Sequence, residues 1–217
     1  VSGNGQRELG DVILGMISCA EGERYLSGKD MTRASIREIR SSGVSFIPES
    51  PLGMAAAPYL TVLENMAVPQ TKRYSRNGGF KVDWQAVRDD TETSMQSLGY
   101  SLPLNVPARS LSGGNLQRMI IVRELMHNPK LIIASYLTRG LDVQSVLAAR
   151  RALAEARQQG AGVLLISEDL EELFEMSDRL IVLYDGAIVG RFAPSETSYH
   201  EIGYLMTGAK DGDATIE

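Results

Sequence analysis

The chain has 217 residues, 43% of them hydrophobic and 23% charged, which is typical of one sizeable globular domain and argues against global disorder. Its net charge of −5 excludes nucleic-acid binding through bulk positive charge, and one cysteine cannot form an internal disulfide. One cysteine and two histidines are too few for a structural zinc site, and no apolar run approaches the roughly 20 residues of a membrane helix.

The first predicted element is a glycine loop that opens a helix running to about residue 17. The loop and the start of the helix read Gly3-Asn4-Gly5-Gln6-Arg7. Glycines directly before a helix let the backbone approach an anion at the positive helix end. A phosphate loop of the G-x-x-x-x-G-K-[ST] type fits if its first glycine precedes residue 1, and Gln6 then takes the Lys position and Arg7 the Ser/Thr position. A plain strand-to-helix turn fits equally well.

Short apolar runs that alternate with helical patterns predict an α/β fold. Four runs are predicted strands of a central parallel sheet: 44–48, 131–135, 162–167 and 179–184. A helix at 142–159 separates the second run from the third and predicts a parallel crossover between them.

The last part of the chain is predicted from local turn and helix patterns. An acidic stretch at 168–175 is interpreted as a solvated helix face in preference to a metal site. Asp185-Gly186 predicts a hairpin turn into a short strand at 187–192. A helix near 199–206 follows, and we expect disorder from residue 207.

Helical patterns dominate residues 58–129, at 61–68, 83–98 and 115–127. The last of them follows Leu111-Ser112-Gly113-Gly114-Asn115. Ser112 is placed to cap the helix N-terminus, and the two glycines expose backbone N–H groups that can bind a phosphate without net positive charge. A capped loop-to-helix junction with no ligand is the simpler interpretation of these residues alone.

Residues 111–115 resemble the LSGGQ signature of ATP-binding-cassette (ABC) ATPases, and the surrounding motifs occur in that family's order. A glycine loop comes first, and a strand ending Ile47-Pro48-Glu49 stands where the family has its Q-loop. The apolar strand 131–135 follows the signature, and the stretch 138–142 (Thr-Arg-Gly-Leu-Asp) matches the D-loop. The details resemble the C-terminal cassette of tandem ATPases that import simple sugars or nucleosides, in which the second cassette is often degenerate.

The resemblance implies a RecA-like α/β core of the P-loop NTPase type with an inserted helical subdomain. The expected division is a core at 1–57 and 130–195, a helical subdomain at 58–129, and a C-terminal helix with a flexible tail at 196–217. We expect the chain to be an N-terminally truncated cassette, since it has no initiator Met and begins at the glycine loop.

The family's chemistry requires a Lys on the phosphates, a hydroxyl and an Asp on Mg²⁺, a Glu that orients water and a His that senses the γ-phosphate. At those positions the chain has Gln6, Arg7, Ser135, Tyr136 and Glu168. A neutral amide brings no charge, and Arg7 offers no oxygen ligand to Mg²⁺. We therefore predict that the chain's own Walker site does not hydrolyse ATP and holds no metal.

The signature half matches the family pattern at Ser112, Gly113 and Gly114, with Asn115 in place of Gln. By resemblance, these signature residues face nucleotide bound to a partner cassette, and Asp142 of the D-loop supports that interface from the neighbouring edge. Glu49 of the Q-loop is a further expected nucleotide-binding residue. The expected ligand is ATP, with Mg²⁺ at the partner's site.

The expected partners are an N-terminal cassette of the same polypeptide, a transmembrane permease and, indirectly, a solute-binding receptor, with no nucleic acid. The expected location is peripheral, on the cytoplasmic face of the cell membrane. The alternatives are a soluble ABC protein of translation or DNA repair, and a scaffold that no longer binds nucleotide.

Overall fold

A computed structural model describes residues 3–138 and 141–208 of the chain. Two positions of the predicted D-loop, 139 and 140, and the predicted tail from 209 lie outside these residues. The chain divides into two compact units: the first combines Val1–Ile36 with Leu165–Glu217, and the second is Arg37–Leu164. The division into a core and a helical subdomain stays a prediction.

Helices and strands alternate along most of the chain. The helices are α1 Gln6–Leu14, α2 Ile36–Ser41, α3 Pro51–Met54, α4 Val62–Ala67, α5 Trp84–Leu98, α6 Gly113–Leu125, α7 Val143–Gln158, α8 Leu170–Met176 and α9 Tyr199–Leu205. The strands are β1 Tyr25–Leu26, β2 Lys29–Asp30, β3 Val44–Ile47, β4 Ser75–Arg76, β5 Lys81–Val82, β6 Leu131–Ser135, β7 Gly162–Ile166, β8 Leu180–Tyr184 and β9 Ala187–Phe192. Single 3₁₀ turns occur at Val68–Gln70, Asn77–Gly79, Ala108–Ser110 and Pro194–Glu196.

Three of the four predicted strands lie in one sheet with the order β3-β6-β7. β3 and β6 are parallel, as predicted, with Val44 opposite Leu131 and Ile47 opposite Ala134. The prediction that 179–184 joins the central sheet is wrong: β8 pairs antiparallel with β9, which confirms the predicted hairpin, in a separate two-stranded sheet. The Asp185-Gly186 turn explains the difference, because a two-residue turn returns the chain directly alongside β8.

The second unit is built around α6, which contacts α3, α4, α5, α7 and β3. Its apolar side chains Met119, Ile120, Ile121 and Val122 are almost fully buried. The N-terminus of α6 begins at residue 113 because Ser112 caps it, as predicted: the Ser112 Oγ accepts the Asn115 N–H at 3.3 Å. α6 thus presents its N-terminus from a tightly packed helix.

The first unit has a small apolar core in which Leu180, Val182 and Ile202 are buried. α8 packs against this core through Leu170, Leu173 and Phe174. The interpretation of 168–175 as a solvated face is wrong for Glu172, whose side chain is fully buried. The physical reason is the helical period, which turns position 172 inward beside Leu173 while Glu171 and Glu175 stay exposed.

Candidate functional site

The glycine loop adopts a backbone conformation that favours glycine at two positions. Gly3 has φ 90° and Gly5, which precedes α1, has φ 100°. The side-chain oxygen of Gln6 turns back over the loop and accepts the Asn4 N–H at 2.9 Å. The residue predicted to stand at the Lys position thus binds the loop's own backbone through its side-chain oxygen.

The β8–β9 turn is hydrogen-bonded to the same loop. The Gly186 N–H donates to the Asn4 carbonyl at 3.1 Å, and the Asp185 N–H donates to Asn4 Oδ1 at 3.2 Å. A Cβ atom added to Gly5 would lie 3.2 Å from the Gly186 Cα, so the two backbones approach closely. The Walker-like loop is therefore fixed by contacts within the protein.

Arg7, predicted to stand at the position of the Mg²⁺-binding hydroxyl, lies beside an acidic residue of α1. Its side chain is 76% exposed, and its Nε lies 3.8 Å from Asp11 Oδ2, one helical turn further along α1. A guanidinium has only donors and cannot ligate a cation. Arg7 therefore offers no ligand to Mg²⁺.

The signature residues lie at the N-terminus of α6, where the first backbone N–H groups of a helix have no intrahelical acceptor. Gly113 is exposed, and a Cβ added there would meet no atom within 4 Å. The Ser112 oxygen accepts the Asn115 amide, so its O–H remains a donor. Uncharged donors at an exposed helix N-terminus fit a phosphate.

The predicted D-loop aspartate lies beside the signature. Asp142 caps α7, its Oδ1 accepting the Ser145 N–H at 3.0 Å and its Oδ2 accepting the Ser145 O–H at 2.5 Å. These hydrogen bonds hold the pKa of the Asp142 carboxyl below its ordinary value. A Cβ added to Gly114 would lie 3.9 Å from both Asp142 Oδ2 and Ser145 Oγ.

Arg118 joins the signature to this cap, and sequence reasoning missed it. Its Nη2 donates to Ser145 Oγ at 2.9 Å and its Nη1 to Asn115 Oδ1 at 3.4 Å. The ring of Tyr100 lies under the guanidinium, 5.7 Å from centroid to Cζ. The spacing of Asn115 and Arg118, one helical turn, was the one available signal in the sequence.

The remaining predicted residues of this unit follow the sheet strands. Ser135 ends β6 and Tyr136, half-buried, has φ 51°, a left-handed conformation. Gln117, on the signature helix, donates from its buried side chain to the Leu137 carbonyl at 3.2 Å. Glu49 follows β3 and is exposed. The structure thus connects the end of β6 to the signature helix by a side chain that sequence reasoning did not identify.

Glu168, predicted to stand at the position of the switch histidine, belongs to the first unit. It follows β7, is exposed, and precedes Asp169, which caps α8 by accepting the Glu172 N–H at 3.2 Å. Within the described ranges no group of three or more His, Cys, Asp or Glu side chains is arranged to hold a metal ion. The same ranges contain no helix that combines the length and apolar character needed to cross a membrane.

Comparison with known proteins gives a match along the whole chain. The sequence model of the ABC transporter family matches residues 1–134. The chain is similar to a glucose import ATP-binding protein of Haloferax volcanii, 38% identical over 218 residues, which cover 99% of this chain and 40% of the relative. A nucleoside import ATP-binding protein of Lactococcus lactis is 37% identical over 213 residues, covering 96% of this chain and 41% of the relative.

The chain therefore spans about two fifths of the length of these curated relatives. Among solved structures, a dimeric ATP-binding cassette in a post-hydrolysis state with ADP and phosphate is similar with a TM-score of 0.76. The sequences are 23% identical, and the match covers 89% of this chain and 82% of the other. A nucleotide-free cassette of an ABC transporter matches with the same TM-score over 100% of this chain and 85% of its own length.

Proposed function

The chain belongs to the ABC transporter family, and on that premise we propose that it is the degenerate second cassette of an importer ATPase. The fold predicted from the motifs, an α/β ATP-binding cassette, is confirmed by the family match and by the solved cassettes. The proposed cargo is a simple sugar or a nucleoside, and the names of the most similar relatives support that class.

The chain's own Walker site is proposed to be inert. The Lys position holds Gln6, whose oxygen is hydrogen-bonded to the loop's own backbone at Asn4. Ser135 and Tyr136 replace the two carboxylates that would hold Mg²⁺ and orient water, and the phenol of Tyr136 is no base near neutral pH. Loss of the Lys cation, the Mg²⁺ ligand and the general base together removes three groups on which phosphoryl transfer depends in this family.

The signature is proposed to complete the ATP site of a partner cassette. The observation that carries this proposal is the exposed, capped N-terminus of α6, where Ser112 and Gly113 present donors toward open space. ATP with Mg²⁺ would be held by the Walker residues of the partner. Asp142 would support the same interface through its contacts with Ser145 and, by way of Ser145, Arg118.

The proposed partners are an N-terminal cassette of the same polypeptide, a permease and a receptor that delivers the solute. The length of the relatives supports a longer polypeptide, since this chain matches only about two fifths of each. The proposed location is the cytoplasmic face of the membrane, where a cassette reaches its permease. Co-purification with a permease would separate this proposal from a soluble ABC protein of translation or DNA repair.

The hydrogen bonds of Asn4 to Gln6 and to Asp185 also favour the alternative of a scaffold that binds no nucleotide. Nucleotide-dependent association with an intact partner cassette distinguishes the two functions. A cassette that supplies a signature associates with its partner only when ATP is present, whereas a scaffold associates equally in its absence.

The purified chain alone is expected to show no ATPase activity above background. The physical reason is the simultaneous replacement of Lys, Asp and Glu by Gln6, Ser135 and Tyr136. Steady-state phosphate release with and without Mg²⁺ measures this, and circular dichroism establishes that the chain is folded. Mg²⁺-dependent turnover that disappears in a Ser135→Ala variant would contradict the prediction.

Glu168 is expected to disfavour a γ-phosphate at the chain's own loop. If nucleotide binds there, like-charge repulsion makes the affinity for ATP about fivefold lower than the affinity for ADP. Glu168→His is expected to reduce this difference in affinity. Fluorescent ADP and ATP analogues measure both affinities, with Glu171→His, an exposed carboxylate of the same stretch, as the control. A gap unchanged by Glu168→His, or narrowed equally by the control, would show that Glu168 does not face the phosphate.

A further inference from the structure

A buried cluster of charges lies at the C-terminal end of the signature helix. The Glu124 side chain is 1% exposed and accepts from both terminal nitrogens of Arg40, Nη1 at 2.7 Å and Nη2 at 3.0 Å. The Nε of Arg123, the preceding residue, donates to Glu124 Oε1 at 3.0 Å. Burial alone would raise the pKa of the Glu124 carboxyl, but the attraction of Arg123 and Arg40 outweighs burial and keeps it below its ordinary value.

These two adjacent residues of α6 also hold the two ends of one short segment. At its start, the Phe46 N–H donates to Glu124 Oε2 at 3.0 Å, and the neighbouring Ser45 hydroxyl donates to the Glu124 carbonyl at 2.6 Å. At its end, the buried guanidinium of Arg123 donates from Nη1 to the Ala55 carbonyl at 2.7 Å. We refer to residues 46–55 as the 46–55 segment.

From Glu49 to Ala55 the 46–55 segment has no buried residue. It contains the exposed Glu49 and the single-turn helix α3, which has no buried residue. Leu52 is 42% exposed and Met54 is 40% exposed. A short helix without a buried residue is marginal in isolation, so the position of α3 depends on its contacts with α6 and on how the ends of the segment are held.

We infer that Arg123 is a positioning residue that fixes the 46–55 segment to the signature helix. α6 is a continuous helix of 13 residues with the signature at its N-terminus and the Arg123–Glu124 pair in its last turn. A displacement of the signature on binding nucleotide is therefore transmitted to Glu49 and α3 through one rigid element. This inference rests on the proposed function, because it concerns how that signature communicates with the rest of an importer.

Arginine suits this role because its planar fork reaches two acceptors at once. Nη1 binds the Ala55 carbonyl while Nε and Nη2 bind Glu124 Oε1. A lysine keeps the charge but has a single nitrogen and cannot reproduce this geometry. Arg40 contacts the same carboxylate and the Val44 carbonyl, and no bond from it to Ala55 is formed in the described chain. Arg123→Lys and Arg40→Lys are therefore a matched pair.

Hydrogen exchange in the full polypeptide tests the contact directly. The Ala55 and Ala56 amides both donate to the Pro51 carbonyl, at 3.0 and 2.8 Å, and report on the segment. We expect Arg123→Lys to speed their exchange by about tenfold or more, as loss of a charged hydrogen bond predicts, and Arg40→Lys to change it by less than about threefold. Equal effects of the two variants would overturn the inference.

The unsubstituted protein provides a second measurement that does not depend on either variant folding. There the Ala55 and Ala56 amides are expected to exchange at least about a hundredfold more slowly than in an unstructured peptide, despite the exposure of α3. Exchange at the rate of an unstructured peptide would show that the segment is not held by its ends.

Transport-coupled turnover tests the consequence in the importer with its permease. The ratio of permease-stimulated to basal ATP hydrolysis is expected to fall by about fivefold or more in Arg123→Lys and by less than about twofold in Arg40→Lys. Equal ratios in the two variants would overturn the proposed role in communication. Absence of stimulation in the unsubstituted protein would instead contradict the proposed function, while the exchange result would still decide whether Arg123 holds the segment.

Discussion

Replacing Ser112 with arginine is expected to lower ATP hydrolysis by the assembled importer about a hundredfold or more. The change removes the hydroxyl that caps α6 and places a long side chain over the open space beside Gly113. If the partner's ATP depends on these donors, the loss of a few kcal/mol of transition-state stabilisation gives this factor at about 1.4 kcal/mol per decade. Steady-state phosphate release from the full tandem protein with its permease is the measurement.

Two variants control for the position of this change. Ser110→Arg puts the same side chain on an exposed residue two positions earlier, and Gln6→Ala alters only the loop proposed to be inert. Both are expected to reduce turnover by less than about threefold, because neither removes a donor from the partner's ATP. Near-normal turnover in Ser112→Arg together with collapse in Gln6→Ala would reverse the assignment and place catalysis at this chain's own loop.

Replacing Glu124 with glutamine is expected to lower the free energy of unfolding by about 3–5 kcal/mol. The substitution leaves the guanidinium of Arg123, whose side chain is 4% exposed, beside a neutral amide. An amide nitrogen also cannot accept from Arg40 or from the Phe46 N–H as the carboxylate does. Urea unfolding followed by circular dichroism measures the change.

The same substitution at an exposed pair is the control. Glu92 lies 3.6 Å from Arg88 one turn away on α5, with 55% of its side chain exposed, so Glu92→Gln is expected to lower the free energy of unfolding by less than about 1 kcal/mol.

The contribution of Glu124 to the free energy of unfolding also depends on pH. Because the folded-state pKa of Glu124 is depressed, its contribution is complete above its unfolded pKa, about 4.3, and is lost as the pH falls through the folded value. Equal stability of Glu124→Gln and the unsubstituted chain at pH 7 would contradict this account.

Local patterns predicted most of the elements because each is encoded by neighbouring residues. The predicted strand at 131–135 has the observed bounds, since an uninterrupted apolar run between a proline turn and polar residues leaves little choice of conformation. The Ser112 cap and the Asp185-Gly186 turn were predicted for the same reason. The assignment of β8 to the central sheet was wrong, because β8 has the composition of a sheet-core strand and its own residues do not state which sheet it joins.

Side-chain contacts across long separations were beyond prediction. Arg123 and Ala55 are 68 residues apart, and Arg40 and Glu124 are 84 apart. Charged residues in a helix are usually solvent-facing, so nothing in the sequence of α6 indicates a buried ion cluster in its last turn. Arg118 and Ser145 were missed similarly, because their contact connects two helices that the sequence specifies independently.

The bond between Asn4 and the β8–β9 turn has a consequence for the order of events during synthesis. Asn4 and Asp185 are 181 residues apart, and they belong to one unit whose two parts flank the whole of the other. At about 5–20 residues per second, roughly 10–40 s pass between the emergence of the loop and that of the turn that holds it. The whole second unit is therefore synthesised before the hairpin that completes the first unit, and of these two units it is the first, with its glycine loop, that is completed last.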